Sequence, residues 1–297
     1  MPSTANYLVY RDYPNWGAYN AVNASGHEIA ANPHDPQPVI QAALNQAFWN
    51  DPSSGPGAGY VFVQSGNYVF QAGFSGLDVL PYTRLVLDPT ARLAVPTGYG
   101  GFVFRMRSRD GMTIAHSCID GGQLTEQGSS PQRQWTALLL DAATSTSAGI
   151  MFNRLQNTII FNAAIGLRLH VSGQLDFINA NRFEFLRMWH CRRFVSFQID
   201  PPYQAGQQNL GIIGNTFEEL ECQSDGNLAV GIDGISGAYN SFFDVRIWDV
   251  RNQNPNALSA VITPQADHTR IFGGFLAGGP PGQFVDKGVA TQLVAAT

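Results

Sequence analysis

The sequence predicts an all-β solenoid of stacked coils, closed at its N-terminal end by one short helix, and three observations carry that expectation. An Asn-started segment recurs: Asn153-Arg154-Leu155, Asn181-Arg182-Phe183, Asn215-Thr216-Phe217 and Asn240-Ser241-Phe242 each open an alternating apolar/polar run, and Thr269-Arg270-Ile271 opens a fifth. The spacings of 28, 34 and 25 residues suit a stacked architecture in which one loop per turn varies in length. Composition agrees: 44% of residues are hydrophobic and only 13% charged, with 31 glycines, as expected of many short strands joined by tight turns. Finally, Asp35-Pro36 supplies an N-cap followed by Pro at the first helical position, and Ile40, Ala43, Leu44 and Ala47 recur on one helical face.

Taken in order, residues 1–34 have little periodicity and are expected to form an irregular lead-in, followed by the helix and a Gly/Pro/Ser loop at 50–59. Strand signals then succeed one another at Tyr60–Val63, Tyr68–Phe70, Arg84–Leu87, Phe102–Phe104 and Met112–Ile114. Turns at Ser65-Gly66-Asn67, Pro81-Tyr82 and Asp110-Gly111 punctuate them. The solenoid domain is expected over 35–276, and the small-residue stretch 277–297 as a terminal cap or arm.

The succession of a capped helix Asp35–Leu44, a Gly-rich loop, Val61-Phe62-Val63-Gln64-Ser65-Gly66-Asn67-Tyr68 and later Ile119-Asp120-Gly121-Gly122 resembles the opening of right-handed parallel β-helix proteins of the pectin-lyase-like superfamily. The resemblance covers roughly 35–275. It implies a right-handed, single-stranded parallel β-helix with an N-terminal cap helix. For function it implies only a broad range, since the superfamily includes polysaccharide lyases, glycosidases, fructan-processing transferases and phage tailspikes, many of them trimeric.

Aligning the coils on the recurring Asn stacks Leu155, Phe183, Phe217 and Phe242 in an inward column, and turns the Asn side chains into an amide ladder. The outward columns are where chemistry is expected. Gln156, Glu184 and Glu218 form one, Asn157, Glu219 and Asp244 another, and Arg187, Glu221 and Arg246 a third whose charge order suits a salt-bridge ladder. Asn162, His190, Ser224 and Asp249 follow. Two carboxylates one coil apart repel, which raises the pKa of one and suits general acid catalysis. Glu219 and Asp244 are therefore the expected acid and base or nucleophile, with Arg187 and Arg246 orienting the substrate and His190 as a further candidate catalytic group. Trp189 and Trp248, aligned with Gln223 between them, are expected to stack sugar rings, with Glu184, Glu218, Glu221 and Asp249 lining the same face. Asp120-Gly121-Gly122 reads as a turn, and Asp200, Asp225 and Asp233 as dispersed on loops.

No cofactor or metal is expected, because no motif gathers the acids that calcium needs. A net charge of −5 with no basic cluster beyond Arg192-Arg193 argues against nucleic acid. The longest apolar runs fall short of the ~20 residues that span a bilayer, which argues against a membrane role. Lys287 is the one lysine against sixteen arginines, so any cation in a mechanism is Arg or His. Cys118, Cys191 and Cys222 are expected as buried free thiols. No signal peptide is legible, and the compartment stays open between extracellular or virion-associated and cytoplasmic. The functional expectation is a protein, expected as a homotrimer, that cleaves or rearranges a polysaccharide or oligosaccharide with a carboxylate pair on the outer face or at a subunit interface. Its alternative is a trimeric structural or receptor-binding rod, suggested by the aromatic positions Trp189, Phe194, Phe197, Trp248 and Phe275, read as exposed.

Overall fold

The computed structural model describes residues 6–12, 17–49, 59–108, 112–128, 132–142, 149–173, 176–200, 211–224, 228–249, 257–274 and 284–294. The chain is a right-handed parallel β-helix whose strands collect into two long sheets, and every strand pairing after residue 59 is parallel. One central coil shows the plan. After Asn181 come strands Arg182–Glu184 and Arg187–Trp189 in the first sheet, then Arg193–Ile199 and Ile212–Ile213 in the second. Between them the backbone turns through left-handed residues, Phe185 (φ 54°), His190 (φ 59°) and Gly214 (φ 63°).

Register follows the repeat read from the sequence. Leu155, Phe183, Phe217, Phe242 and Ile271 are successive partners, all buried, and the rings of Phe183, Phe217 and Phe242 stack at 4.8 and 4.6 Å. Beside this column runs the amide ladder. The Oδ1 atom of Asn181 accepts from the backbone N and the Nδ2 of Asn153, both at 3.0 Å. Asn215 serves Asn181 in the same way, and Asn240 serves Asn215 at 3.1 Å. Each Nδ2 also donates to a carbonyl of the preceding corner, as Asn215 does to Ile178. Thr83 and Ser117 occupy the same buried position in earlier coils, and Cys118 N bonds Thr83 O as Arg154 N bonds Ser117 O. The repeat therefore begins two coils before the first Asn.

The helix spans Pro36–Trp49, with Asp35 Oδ1 accepting from Gln37 N at 3.0 Å as its N-cap. Val39, Ile40, Ala43, Leu44 and Ala47 are fully buried against the end of the solenoid. A Cβ on Gly59 would lie 2.1 Å from the Ala47 carbonyl oxygen, so the helix rests directly on the first-coil backbone. The expectation of an irregular lead-in is corrected. Tyr7–Arg11, Tyr19–Asn23 and Glu28–Asn32 form an antiparallel meander, and its first strand pairs in parallel with Tyr60–Val63. Tyr7, Val9, Tyr19 and Ala21 are its buried, alternating positions.

Two aromatic positions are also corrected: Phe194 is fully buried and Phe197 nearly so, because both point into the core. The cysteines are free; burial pushes the Cys118 thiol up to about 11 and raises that of Cys222. Phe275, Asp225, the Asp110-Gly111 turn, most of the loop at 50–59 and the segment 201–210 lie outside the described residues, as does much of 277–297.

Removing one rung of the ladder tests its weight. Asn215→Ala leaves the buried Asn181 N–H without its acceptor and takes one of two partners from the Asn181 amide and from Asn240 Oδ1, which keep the Ile150 carbonyl and the backbone N–H at 215. The substitution is expected to destabilise by about 1–3 kcal/mol, the cost of one stranded buried group, measured by urea unfolding.

Candidate functional site

The corner between the two first-sheet strands of each coil builds the site. Asn157, Phe185, Glu219 and Asp244 occupy it in successive coils with φ of 56°, 54°, 50° and 50°, and Gly273 follows at 62°. Each backbone N–H bonds a carbonyl of the next coil, as Glu219 N does to Phe243 O at 2.9 Å and Asp244 N to Phe272 O at 2.9 Å. The residue after the corner is driven inward, and Thr158, Leu186, Leu220 and Val245 are buried. The corner side chain is left pointing out, so Glu219 and Asp244 are exposed and Phe185 is 42% exposed. Positive φ here is a demand of the corner, since other corner columns share it, and is not a mark of catalysis.

A depression of about 140 Å³ lies on this corner, lined by Phe185, Arg187, Glu219, Leu220, Glu221, Asp244 and Arg246. Five residues expected in the site from sequence, Arg187, Glu219, Glu221, Asp244 and Arg246, thus meet in one place. Arg187, Glu221 and Arg246 are register partners, and Arg187 Nε lies 3.3 Å from Glu221 Oε2. The exposed ion pair adds little to stability. Asp244 leans toward the next coil: a Cβ on Gly273 would fall 2.5 Å from its Oδ1. Glycine at 273 therefore both meets the corner conformation and leaves room for that carboxylate.

The depression continues into a larger groove of about 490 Å³ toward the N-terminal coils, with Phe185 and Arg187 shared between them. Its polar lining is Asp88, Asp120, Asn157 and Arg187, and its apolar lining includes Phe62, Val86 and Ile159. The combined volume is in the range of sites that hold small ligands. Asp120, expected at a turn, instead lies in the strand Cys118–Glu126 and lines the groove. Its Oδ2 accepts from Gln156 Nε2 at 2.7 Å and its Oδ1 from Asn157 Nδ2 at 2.8 Å, so two amides fix its carboxylate. The signal was available in the register: Ser117 stands in the ladder position, which aligns Asp120 with Gln156. Asp88 is turned by accepting from Thr90 N at 2.8 Å and Thr90 Oγ1 at 2.6 Å.

Other expected site residues fall elsewhere. Glu184 is buried and accepts from Arg182 Nη2 at 2.9 Å and from Arg154 Nε, so its carboxylate is committed to the sheet rather than to a ligand. Glu218 lies 3.4 Å from Arg182 Nη2 in the same network. His190 occupies the next corner, its carbonyl accepting from Arg133, and is not among the groove lining. Trp189 and Trp248 do align through Gln223, two residues along from Arg187 and Arg246. They sit ~6.6 Å beyond the groove wall, with Trp189 edge-on to Phe161 at 5.0 Å. The side chain of Asp249 lies outside the described residues.

A titratable cluster absent from the sequence reading occupies the second sheet. His170 Nδ1 is 2.8 Å from Asp141 Oδ1 and its Nε2 3.3 Å from Asp200 Oδ2, with Arg107 Nε 3.4 Å from Asp141. The hydrogen bond to Asp141 raises the His170 pKa despite partial burial. Burial pushes Asp141 up, but the His170 hydrogen bond and charge, then Arg107, outweigh it and leave its pKa lowered. No group of three or more His, Cys, Asp or Glu suited to a metal exists among the described residues. No described helix is long and apolar enough to cross a membrane.

No protein-family model and no curated protein matches the chain. Solved structures do. ORF18 of Geobacillus virus E2 is 12% identical with a TM-score of 0.44, over 95% of this chain and 67% of that one. A DFA-IIIase from Arthrobacter chlorophenolicus A6, in complex with GF2, is 11% identical with a TM-score of 0.36, over 86% and 94%. The Dettilon tailspike protein gp208 is 10% identical with a TM-score of 0.28, over 95% and 68%. At these values no residue role passes from them to this chain.

Two outcomes follow from the geometry. Gly273→Ala strains a left-handed corner and displaces Asp244, and is expected to cost about 1–2 kcal/mol in thermal or urea unfolding. His170 has a raised folded pKa, so its contribution is complete below its unfolded 6.5 and fades as pH rises through the folded value. Asp141 has a lowered folded pKa, so its contribution is complete above 3.8 and fades as pH falls through the folded value. The stability difference between the wild type and His170→Asn should peak between those limits and narrow on both sides, read from urea midpoints across pH.

Proposed function

We propose that the protein binds a carbohydrate chain along the corner groove and cleaves or rearranges it with Glu219 and Asp244 as the acid and the base or nucleophile. The observation that carries this reading is the convergence of Glu219, Asp244, Arg187 and Arg246 on one exposed depression. Glycosyl transfer needs two carboxylates flanking one bond, one to protonate the leaving oxygen and one to activate water or attack the sugar. Arg187 and Arg246 supply the fixed donors that hold hydroxyl or carboxylate groups of the substrate. Phe185, between the depression and the larger groove, offers an apolar surface against which a sugar ring packs, and Asp120 and Asn157 supply polar contacts to the next ring.

The second reading is a trimeric structural or receptor-binding rod. Its support is the exposed apolar set Phe152, Phe185, Tyr239, Val289, Leu293 and Val294, surface that assembly could cover. Both readings accommodate a trimer, so the discriminator is the Phe185 face: a trimer that buries it closes the groove to a polymer and favours the rod.

Glu219→Gln and Asp244→Asn are each expected to lower kcat by about 10²–10⁴-fold, with unfolding curves close to wild type because both side chains are exposed. Arg187→Ala is expected to act mainly on KM. Steady-state reducing-end release checks both, and wild-type rates in the doubly substituted protein would refute the assignment.

A further inference from the structure

The corner that precedes the amide ladder is left-handed in every described coil, at Tyr82, His116, Phe152, Ala180, Gly214, Tyr239, His268 and Ala290. Glycine meets that conformation freely, as Gly214 does, whereas a bulky L-residue is strained by it. Five of these eight positions nevertheless carry an aromatic ring. The rings do not serve the core, because they point outward: Phe152 is 53% and Tyr239 50% exposed, and His116 and His268 are exposed as well.

The rings form two stacks with an interruption. Tyr82, His116 and Phe152 follow one another at 5.6 and 5.5 Å with interplanar angles of 22° and 16°. Tyr239 and His268 stack at 4.9 Å and 25°. Between Phe152 and Tyr239 the corner holds only Ala180 and Gly214. Three coil steps separate the facing rings, ~14 Å at the spacing of paired strands, which leaves about 10 Å clear once ring thickness is removed. The result is a slot with an aromatic face at each end and small residues as its floor. Its sides are polar: Asn179 Oδ1 would lie 3.4 Å from a Cβ on Gly214, and Thr216 and Arg182 follow the floor on the other flank. Arg182 is already paired with Glu184 and Glu218, so no cation stands unbalanced there.

We propose that this slot is a binding site for a neutral oligosaccharide of about two sugar rings, separate from the groove. Apolar ring faces against Phe152 and Tyr239, with hydroxyl edges toward Asn179 and Thr216, are the complement of a pyranose or furanose, which presents C–H faces and a polar rim. Strand segments Arg182–Glu184 and Thr216–Glu218 lie between slot and groove, so a polymer held in one need not occupy the other.

The test is affinity electrophoresis of the intact chain in native gels containing dextran, β-glucan, xylan, mannan or inulin, with polygalacturonate as the anionic control. The wild type should be retarded by at least one neutral polymer. Phe152→Ala and Tyr239→Ala should each weaken retardation by about five- to tenfold. Ala180→Phe should weaken it at least as much as either of these, leaving only what the groove contributes, by continuing the ring stack into the slot at a position whose conformation Phe152 already tolerates, and a melting temperature no lower than wild type shows that this variant folds. Glu219→Gln is read by reducing-end release alone and Ala180→Phe by retardation, so a failure of the catalytic reading is seen separately. Retardation of Ala180→Phe equal to wild type, or no retardation by any neutral polymer, overturns the proposal. So does self-association of the wild type that Ala180→Phe abolishes, which would make a second copy the occupant.

Discussion

The coil-to-coil register is the constraint on which the rest of the structure depends, and it is held by a buried column of amides. Asn153, Asn181, Asn215 and Asn240 each accept at Oδ1 from the previous rung and donate an Nδ2 hydrogen to a corner carbonyl, and the first three donate from Nδ2 to the next rung as well. A slip of one residue would strand every one of these groups in an apolar interior and turn the inward Phe column outward. The ladder therefore fixes which residue of each coil is inward, and by subtraction which side chains face solvent. Thr83, Ser117 and Thr269 hold the same position with hydroxyls, so the geometry survives where the amide is replaced.

Both proposed sites lie at corners because the corners are where the register releases side chains. A left-handed residue points out while its successor is driven in, and loop length does not disturb this alternation. Glu219 and Asp244 come to adjacent coils through a spacing of 25 residues, and Phe185 and Glu219 through 34, yet all three share one column. A corner column thus acts as a rail on which residues distant in sequence are set one coil apart. The groove uses the rail after the first-sheet strand, and the aromatic slot uses the rail before the ladder.

Much of this was legible in the residues. The recurring Asn gave register, the inward Phe column and the alignment of Arg187 with Glu221 and Arg246, because periodicity is written directly in side-chain chemistry. The cap helix was legible for the same reason, with Asp35, Pro36 and one apolar face stating its start and orientation. What escaped depended on neighbours outside the repeat. Glu184 reads like Glu218 in sequence, but Arg154 and Arg182 flank it from two coils and bury it. Asp120 was hidden because Ser117 replaces the ladder Asn, so its coil was not aligned. The N-terminal meander was missed because its alternation spans five residues per strand and its partners are mostly one another. Asp141 and His170 come together only through the register of Thr136–Ala142 against Ile165–Val171, which no local motif announces.

Whether the corner groove works on a glycan is read most directly by incubating the wild-type protein with uronate, fructan and neutral polysaccharides and following reducing ends and absorbance near 235 nm on the same samples. A change in at least one polymer is expected, seen as new reducing ends for hydrolysis or as altered chain length without them for rearrangement, and in both cases without new absorbance, since two carboxylates acting on one glycosidic bond leave no double bond. New absorbance would contradict the carboxylate assignment by revealing elimination. Intact polymers throughout, from a protein that sediments as a stable trimer, would contradict the catalytic account and leave the rod.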